Sequence, residues 1–201
     1  MPTPARTSVE EIVAAGRAIL TRDGLEGLTM QRIAEATGVR APSLYKRVAG
    51  RAALVRLVAE DAVTELGQCL EGAATSGDSV RDLRAQASTL RAFAQRDPHA
   101  FALVFAPPVE GGVADPSRLA EAAAPVLRVV GGLVGPEQAL NAARTVTAWA
   151  SGFLRMELAG AFQLGGDVDE AFDYGISLLV TALEGSARVL TPGSAGGSPE
   201  A

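Results

Sequence analysis

Residues 27–51 read GLTMQRIAEATGVRAPSLYKRVAGR, and two short helices with a tight turn between them are written into that stretch. Thr29 stands before Met30, Ile33 and Ala34, an apolar i, i+3, i+4 set, and suits the N-cap of the first helix. Gln31 and Arg32 then face water or phosphate. Gly38 falls where that helix must stop and the chain must reverse, a position open to positive φ. Val39 plugs the angle between the helices. Pro42 lies in the first turn of the second helix, where a missing N–H costs nothing. Leu44 and Val48 are four apart and turn inward. Ser43, Lys46 and Arg47 are left on the outer face, with Tyr45 at its edge. A hydroxyl, a phenol and two cations within five positions of a short second helix are the layout of a helix-turn-helix that reads DNA.

Upstream, Ser8 suits the cap of a helix over about 9–22, with Glu10 and Glu11 at its positive end and Asp23-Gly24 closing it. Residues 1–7 read as a loose polar arm, in which Arg6 either reaches a phosphate or the minor groove or belongs to a disordered terminus. Downstream, Ala49-Gly50 is a turn. A long helix over 51–73 carries Leu54, Leu57, Val58, Ala62 and Leu66. Residues 75–79 are a loop, with Asp78 or Ser79 capping a helix over 79–96. Asp97-Pro98 stops that helix and starts a shorter one. Residues 107–116 are a loop by composition. Helices follow over about 116–133, 136–163 and 168–190, the last two separated by Gly165-Gly166-Asp167. Residues 191–201 have no apolar content to bury and read as a disordered tail. The fold class is all-α: a three-helix domain over 1–56, then a helical domain over 57–190.

Composition narrows the chemistry. Among the 201 residues Cys69 is the sole cysteine and His99 the sole histidine. No intrachain disulfide, Cys-type zinc site or His-based metal site can be assembled, so no metal or cofactor is expected. Cys69 reads as a small buried hydrophobe, and His99 as a surface residue in a helix's first turn. No phosphate-binding glycine loop and no nucleophile–base pair is present, which argues against a small helical enzyme. No segment resembles a signal peptide or an uncharged apolar span, so a cytoplasmic protein without a membrane partner is expected. The net charge of −5 divides unevenly. Residues 1–56 hold nine Lys or Arg against five Asp or Glu, and residues 57–201 hold nine against eighteen. The cations gather in the segment that would meet phosphate.

Thr29-Met-Gln-Arg-Ile-Ala, Gly38-Val and Pro42-Ser-Leu-Tyr, followed by Arg51 and Leu54, resemble the DNA-binding domain of TetR-family transcriptional regulators over about residues 8–57. The helix with Ile12, Ala15, Ala18, Ile19 and Leu20 before Asp23-Gly24-Leu25 fits the same pattern. The resemblance implies that Thr29 and Arg51 anchor phosphates with Tyr45 at the backbone. It implies that Arg40, Ala41, Pro42, Ser43 and Lys46 face the groove. Such regulators usually carry Lys where Arg51 stands and His-Phe where Arg47-Val48 stand. The Arg47 guanidinium is suited to a phosphate or a guanine edge.

The stretch 144–172, with Gly152-Phe-Leu-Arg-Met-Glu-Leu-Ala-Gly-Ala-Phe162 and Asp169-Glu-Ala-Phe172, resembles the regulatory domain of one branch of that family, which often has His in place of Ser151. It implies a homodimer through the last two helices, on palindromic double-stranded operator DNA. Those helices mix apolar residues with small ones, so Ala143, Ala150, Phe172, Ile176, Leu179 and Leu183 are the candidates for the dimer face. A small-molecule effector would release such a repressor. Leu66, Phe93, Phe101, Phe105, Trp149, Phe153 and Met156 could line its pocket, the alternative for each being plain core packing. An activator or architectural protein with the same DNA-binding head and no effector is the competing reading.

Overall fold

The computed structural model describes residues 7–105 and 114–190, with the side chains of 187–190 excepted. The expected arm at 1–6 with Arg6, most of the 107–116 loop and the 191–201 tail lie outside the described residues. All regular structure among the described residues is helical: α1 (Val9–Gly27), α2 (Met30–Thr37), α3 (Ala41–Tyr45), α4 (Arg51–Ala73), α5 (Ser79–Arg96), α6 (Pro98–Val104), α7 (Pro116–Val134), α8 (Ala139–Leu158) and α9 (Val168–Leu190). Two compact units result. The first holds Met1–Ala73 and Ser88–Pro125, the second Ala74–Ala87 and Val126–Ala201.

Local chemistry sets the ends of the first helices. Ser8 and Glu11 form a reciprocal capping box at the start of α1. Thr7, expected in a loose arm, is buried. The chain breaks helical geometry at Gly24, where φ is +67°, and helical residues resume to Gly27. The Thr29 hydroxyl accepts from the Arg32 amide at the start of α2. Gly38 ends α2 at φ +68°, and the Val39 amide reaches the Ala34 carbonyl at 3.1 Å. A left-handed residue there closes the helix without a Cβ clash. Helix α3 is shorter than expected. It ends at Tyr45, and only the Arg47 and Val48 amides, both bonded to the Leu44 carbonyl, carry the turn on.

Ile12, Leu20, Leu28, Ile33, Leu44, Leu54 and Val58 are almost wholly withdrawn from water and form the centre of the first unit's N-terminal part. Each such side chain contributes about 1.5–3 kcal/mol of transfer free energy. The second unit is centred on Leu83, Val130, Val146, Leu154, Phe172, Ile176 and Val180.

Two boundaries differ from expectation. Helix α8 begins at Ala139 rather than 136 and stops at Leu158 rather than 163. At its end the Ala161 amide bonds the Met156 carbonyl and the Gly160 amide bonds the Glu157 carbonyl, a Schellman closure that terminates the helix early. Asp78, and not Ser79, caps α5, accepting from the Arg81 amide at 2.9 Å.

Candidate nucleic-acid interface

Helix α3 and the turn after it present one outward surface. Arg40, Ala41, Pro42, Ser43, Tyr45, Lys46 and Arg47 are all exposed, while Leu44 and Val48 are buried beneath them. The i, i+4 pair seats the helix, so its other residues have nowhere to go but solvent. Tyr45 keeps 55% of its surface free. Thr29 sits half-buried at the start of α2, with its oxygen already accepting the Arg32 amide at 3.3 Å. Its hydroxyl proton is still able to donate to an anion.

Arg47 has a neighbour the sequence did not bring to light. The Glu10 carboxyl, in the first turn of α1, lies below its ordinary pKa. A backbone hydrogen bond at Glu10 is the largest cause, the Ser8 hydroxyl comes next, and the Arg47 charge is a smaller one.

Two arginines also make contacts within the protein. Arg51 turns its guanidinium onto the protein: Nε donates to the Leu28 carbonyl at 3.0 Å and Nη2 to the Leu25 carbonyl at 2.9 Å. The forked cation adds a second bond at the Leu25 carbonyl, which already accepts the Leu28 amide, and bonds the Leu28 carbonyl beside it. Its first task is to clamp α4 to the end of α1, and only its remaining N–H groups can meet a phosphate. Arg32 folds back as well. It pairs with Asp23 and reaches the Gly27 carbonyl at 3.4 Å, while its side chain stays 37% exposed. A Cβ on Gly27 would lie 2.5 Å from Asp23 Cβ, which fits glycine to that place. Gln31 bonds Glu35 one turn on at 3.0 Å.

This geometry meets its relatives at both ends of the chain. Residues 5–58 match the model of the tetR family of bacterial regulatory proteins, and residues 83–179 match that of the tetracyclin repressor-like C-terminal domain. An uncharacterized HTH-type transcriptional regulator of Mycobacterium tuberculosis is 32% identical over 176 residues, which cover 83% of this chain and 76% of that one. The chain belongs to the TetR family of transcriptional regulators. The crystal structure of the regulatory protein SCO4313 is 29% identical, covers 89% of this chain and 100% of its own, and superposes with a TM-score of 0.72. A TetR variant from Acinetobacter baumannii in complex with minocycline is 20% identical, with a TM-score of 0.69 over 92% of this chain and 99% of that one. Streptomyces coelicolor ActR in complex with (S)-DNPA is 18% identical, with a TM-score of 0.69 over 91% and 100%. The last two show the shared fold.

The effector candidates of this TetR-family chain fall into separate groups. Leu66, Phe93, Phe101 and Phe105 belong to the first unit, and Trp149, Phe153 and Met156 to the second. Phe93 and Phe101 are buried, and Phe101 packs on Phe105 with ring centroids 4.9 Å apart. In the second unit Trp149 meets Phe153 at 5.7 Å and Phe172 at 5.3 Å, and Phe153 meets Phe162 at 4.8 Å. Phe162 and Phe172 thus join a cluster that sequence reasoning left them out of. A Cβ on Gly175 would collide with the Trp149 indole, so this glycine is the slot that admits the ring. Met156 is exposed. A cavity of about 260 Å³ opens between α4 and α7, lined by Thr64, Gly67, Gln68, Glu71, Arg118, Glu121, Ala122, Ala124 and Pro125, none of which the sequence nominates.

The candidate dimer-face residues differ in burial within the chain. Ala143, Ala150, Phe172 and Ile176 are buried within the protomer, and Leu179 and Leu183 are half-buried. They are the stripe of α8 and α9 that faces the chain's own core. A second stripe points outward: Ala171, Tyr174, Leu178, Ala182 and Gly185 on α9, and Ala148, Gly152 and Met156 on α8. Gly152 and Gly185 have open space where a Cβ would stand. The signal was present in α9, whose apolar residues lie on two faces rather than one.

Among the described residues no group of three or more His, Cys, Asp or Glu is arranged to hold a metal ion. No single described helix is long and apolar enough to cross a membrane.

Proposed function

We propose that this regulator is a repressor that binds palindromic operator DNA as a homodimer and leaves it when a small-molecule effector binds. The observation that carries the DNA reading is the α3 surface, where Ser43, Tyr45, Lys46 and Arg47 are exposed above a seated Leu44–Val48 pair. A helix of five residues spans too few base pairs to specify a site alone, and a two-fold pair of such helices reads two half-sites about one turn of DNA apart. The second apolar stripe of α8 and α9, with glycines open to solvent, supports the pairing. Small residues let two helix axes approach closely. In this reading residues 1–56 bind DNA and residues 57–190 carry effector binding and dimerisation.

Two fold relatives, from A. baumannii and S. coelicolor, hold minocycline and (S)-DNPA. They support effector release for this chain, and the Trp149–Phe153–Phe162–Phe172 cluster favours an apolar or aromatic ligand. The test is selection of bound genomic fragments by the purified protein, followed by titration of small molecules against the protein–fragment complex with Trp149 fluorescence as the binding signal. A repeated inverted motif and ligand-induced loss of binding are expected. Absence of any enriched motif overturns the DNA reading. Quenching by ligands that leave the complex intact overturns release and leaves an effector-independent activator or architectural role.

A further inference from the structure

Three residues on one stripe of α1, at spacings of four and three, engage the corner between α5 and α6. The Thr21 hydroxyl donates to Asp97 Oδ2 at 2.7 Å. Arg17 Nη2 lies 3.8 Å from the same oxygen. The His99 ring lies over Gly24, so close that a Cβ there would be 3.1 Å from His99 Cε1. Gly24 has φ +67° and is the kink of α1. Asp97 is 5% exposed, and its other oxygen accepts the Ala100 amide at 2.9 Å as the N-cap of α6. One carboxylate therefore starts α6 and holds α1. Arg17 extends the grip to α4, with Asp61 at 3.4 Å and Glu65 beside it, and Arg96 at the end of α5 meets Glu65 too. Among the described residues Arg17 Nη1 is buried without a hydrogen-bond partner, a cost that the three carboxylates must offset.

We propose that Asp97 and Thr21 are positioning residues for DNA recognition: through them the α5–α6 corner sets the direction of α1, and with it the α2–α3 pair. The polar grip supplies direction that apolar packing lacks, since an O–H to carboxylate bond tolerates little angular change. Helix α5 gives residues 79–87 to the second unit and 88–96 to the first, so the corner stands at the end of a helix that both units share.

The inference rests on operator binding as proposed above. The probe is the duplex that the wild-type protein enriches from genomic DNA, compared with a scrambled duplex of the same length. Thr21→Val removes the hydroxyl and keeps the shape. It is expected to weaken the enriched duplex about fivefold, to leave the scrambled duplex unchanged, and to be reversed by Thr21→Ser. Asp97→Asn keeps an acceptor for the Ala100 amide and loses the charge facing Arg17; it is expected to act in the same direction. Equal affinity of Thr21→Val and wild type for the enriched duplex overturns the inference while operator binding stands. So does a loss that falls equally on both duplexes, or one that Thr21→Ser does not restore. A wild-type protein that enriches nothing overturns both.

Discussion

Tyr45 keeps more than half of its surface in water on the one helix turn that the sequence marks for DNA. A phenol left exposed next to the buried Leu44 does nothing for the core, so its removal should cost recognition and not folding. Tyr45→Ala is expected to weaken operator binding by at least about tenfold, the size of a lost specific contact, with an unchanged circular dichroism spectrum and thermal midpoint. A gel-shift titration against the enriched duplex measures it, and unchanged affinity removes Tyr45 from the interface. Lys46 is exposed next to Tyr45, and replacing it should weaken operator binding and lessen the salt dependence, as expected of a phosphate contact.

At the scale of the element, caps and stops are where the sequence speaks plainly. Thr29, Asp97 and Asp78 accept from amides three residues on, and Gly38 stops its helix by its own left-handed conformation; short-range chemistry of that kind is readable from the string. Arg51 and Arg32 were not readable in the same way. The partners of Arg51 lie 23 and 26 residues away and Asp23 lies nine from Arg32, and nothing in a local pattern says that an exposed cation on a DNA-binding domain also bonds the protein's own groups. The early end of α8 was missed because its apolar pattern continues to Phe162 while Gly160 closes the helix. The start of α5 carries a further testable feature. Asp82 accepts the Ser76 hydroxyl at 2.7 Å, the Ser76 amide at 3.0 Å and the Gly77 amide at 3.2 Å. The Ser76 hydroxyl and then its amide hold the Asp82 carboxyl below its ordinary value. A carboxyl with a lowered folded-state pKa stabilises the fold above its unfolded value of about 3.9 and loses that contribution as pH falls through the folded value. Asp82→Asn should therefore be less stable than wild type at neutral pH in urea unfolding. The gap should narrow as pH falls below about 4. A gap that stays constant down through that range removes the charge of Asp82 as its cause.

At the scale of the whole molecule, the charge division and the two-faced C-terminal helices point the same way. A basic N-terminal part and an acidic remainder keep phosphate attraction at one end of the chain. The sequence did disclose that α8 and α9 carry more apolar surface than one core needs, but periodicity alone does not say which stripe the chain buries itself. Folding decides that: Phe172, Ile176 and Val180 go inward, and Tyr174 and Leu178 stay 67% and 53% exposed. A leucine left half in water beside a tyrosine and small residues costs nothing to mutate unless a partner covers it. Leu178→Glu places a charge where that partner's apolar stripe would pack, and on a two-fold axis it does so twice. Sedimentation equilibrium is expected to change from about twice the 20.6 kDa of one chain to that of a single chain. Helical content should stay as it was, because the inward stripe is untouched. Operator affinity should fall with dimerisation, since half-sites are then read one at a time, while salt-sensitive binding to scrambled duplex persists through Lys46 and Arg47 in the turn after α3. A Leu178→Glu protein that sediments as wild type would place the dimer elsewhere on the chain. One that sediments as a monomer yet keeps full operator affinity would separate recognition from pairing altogether.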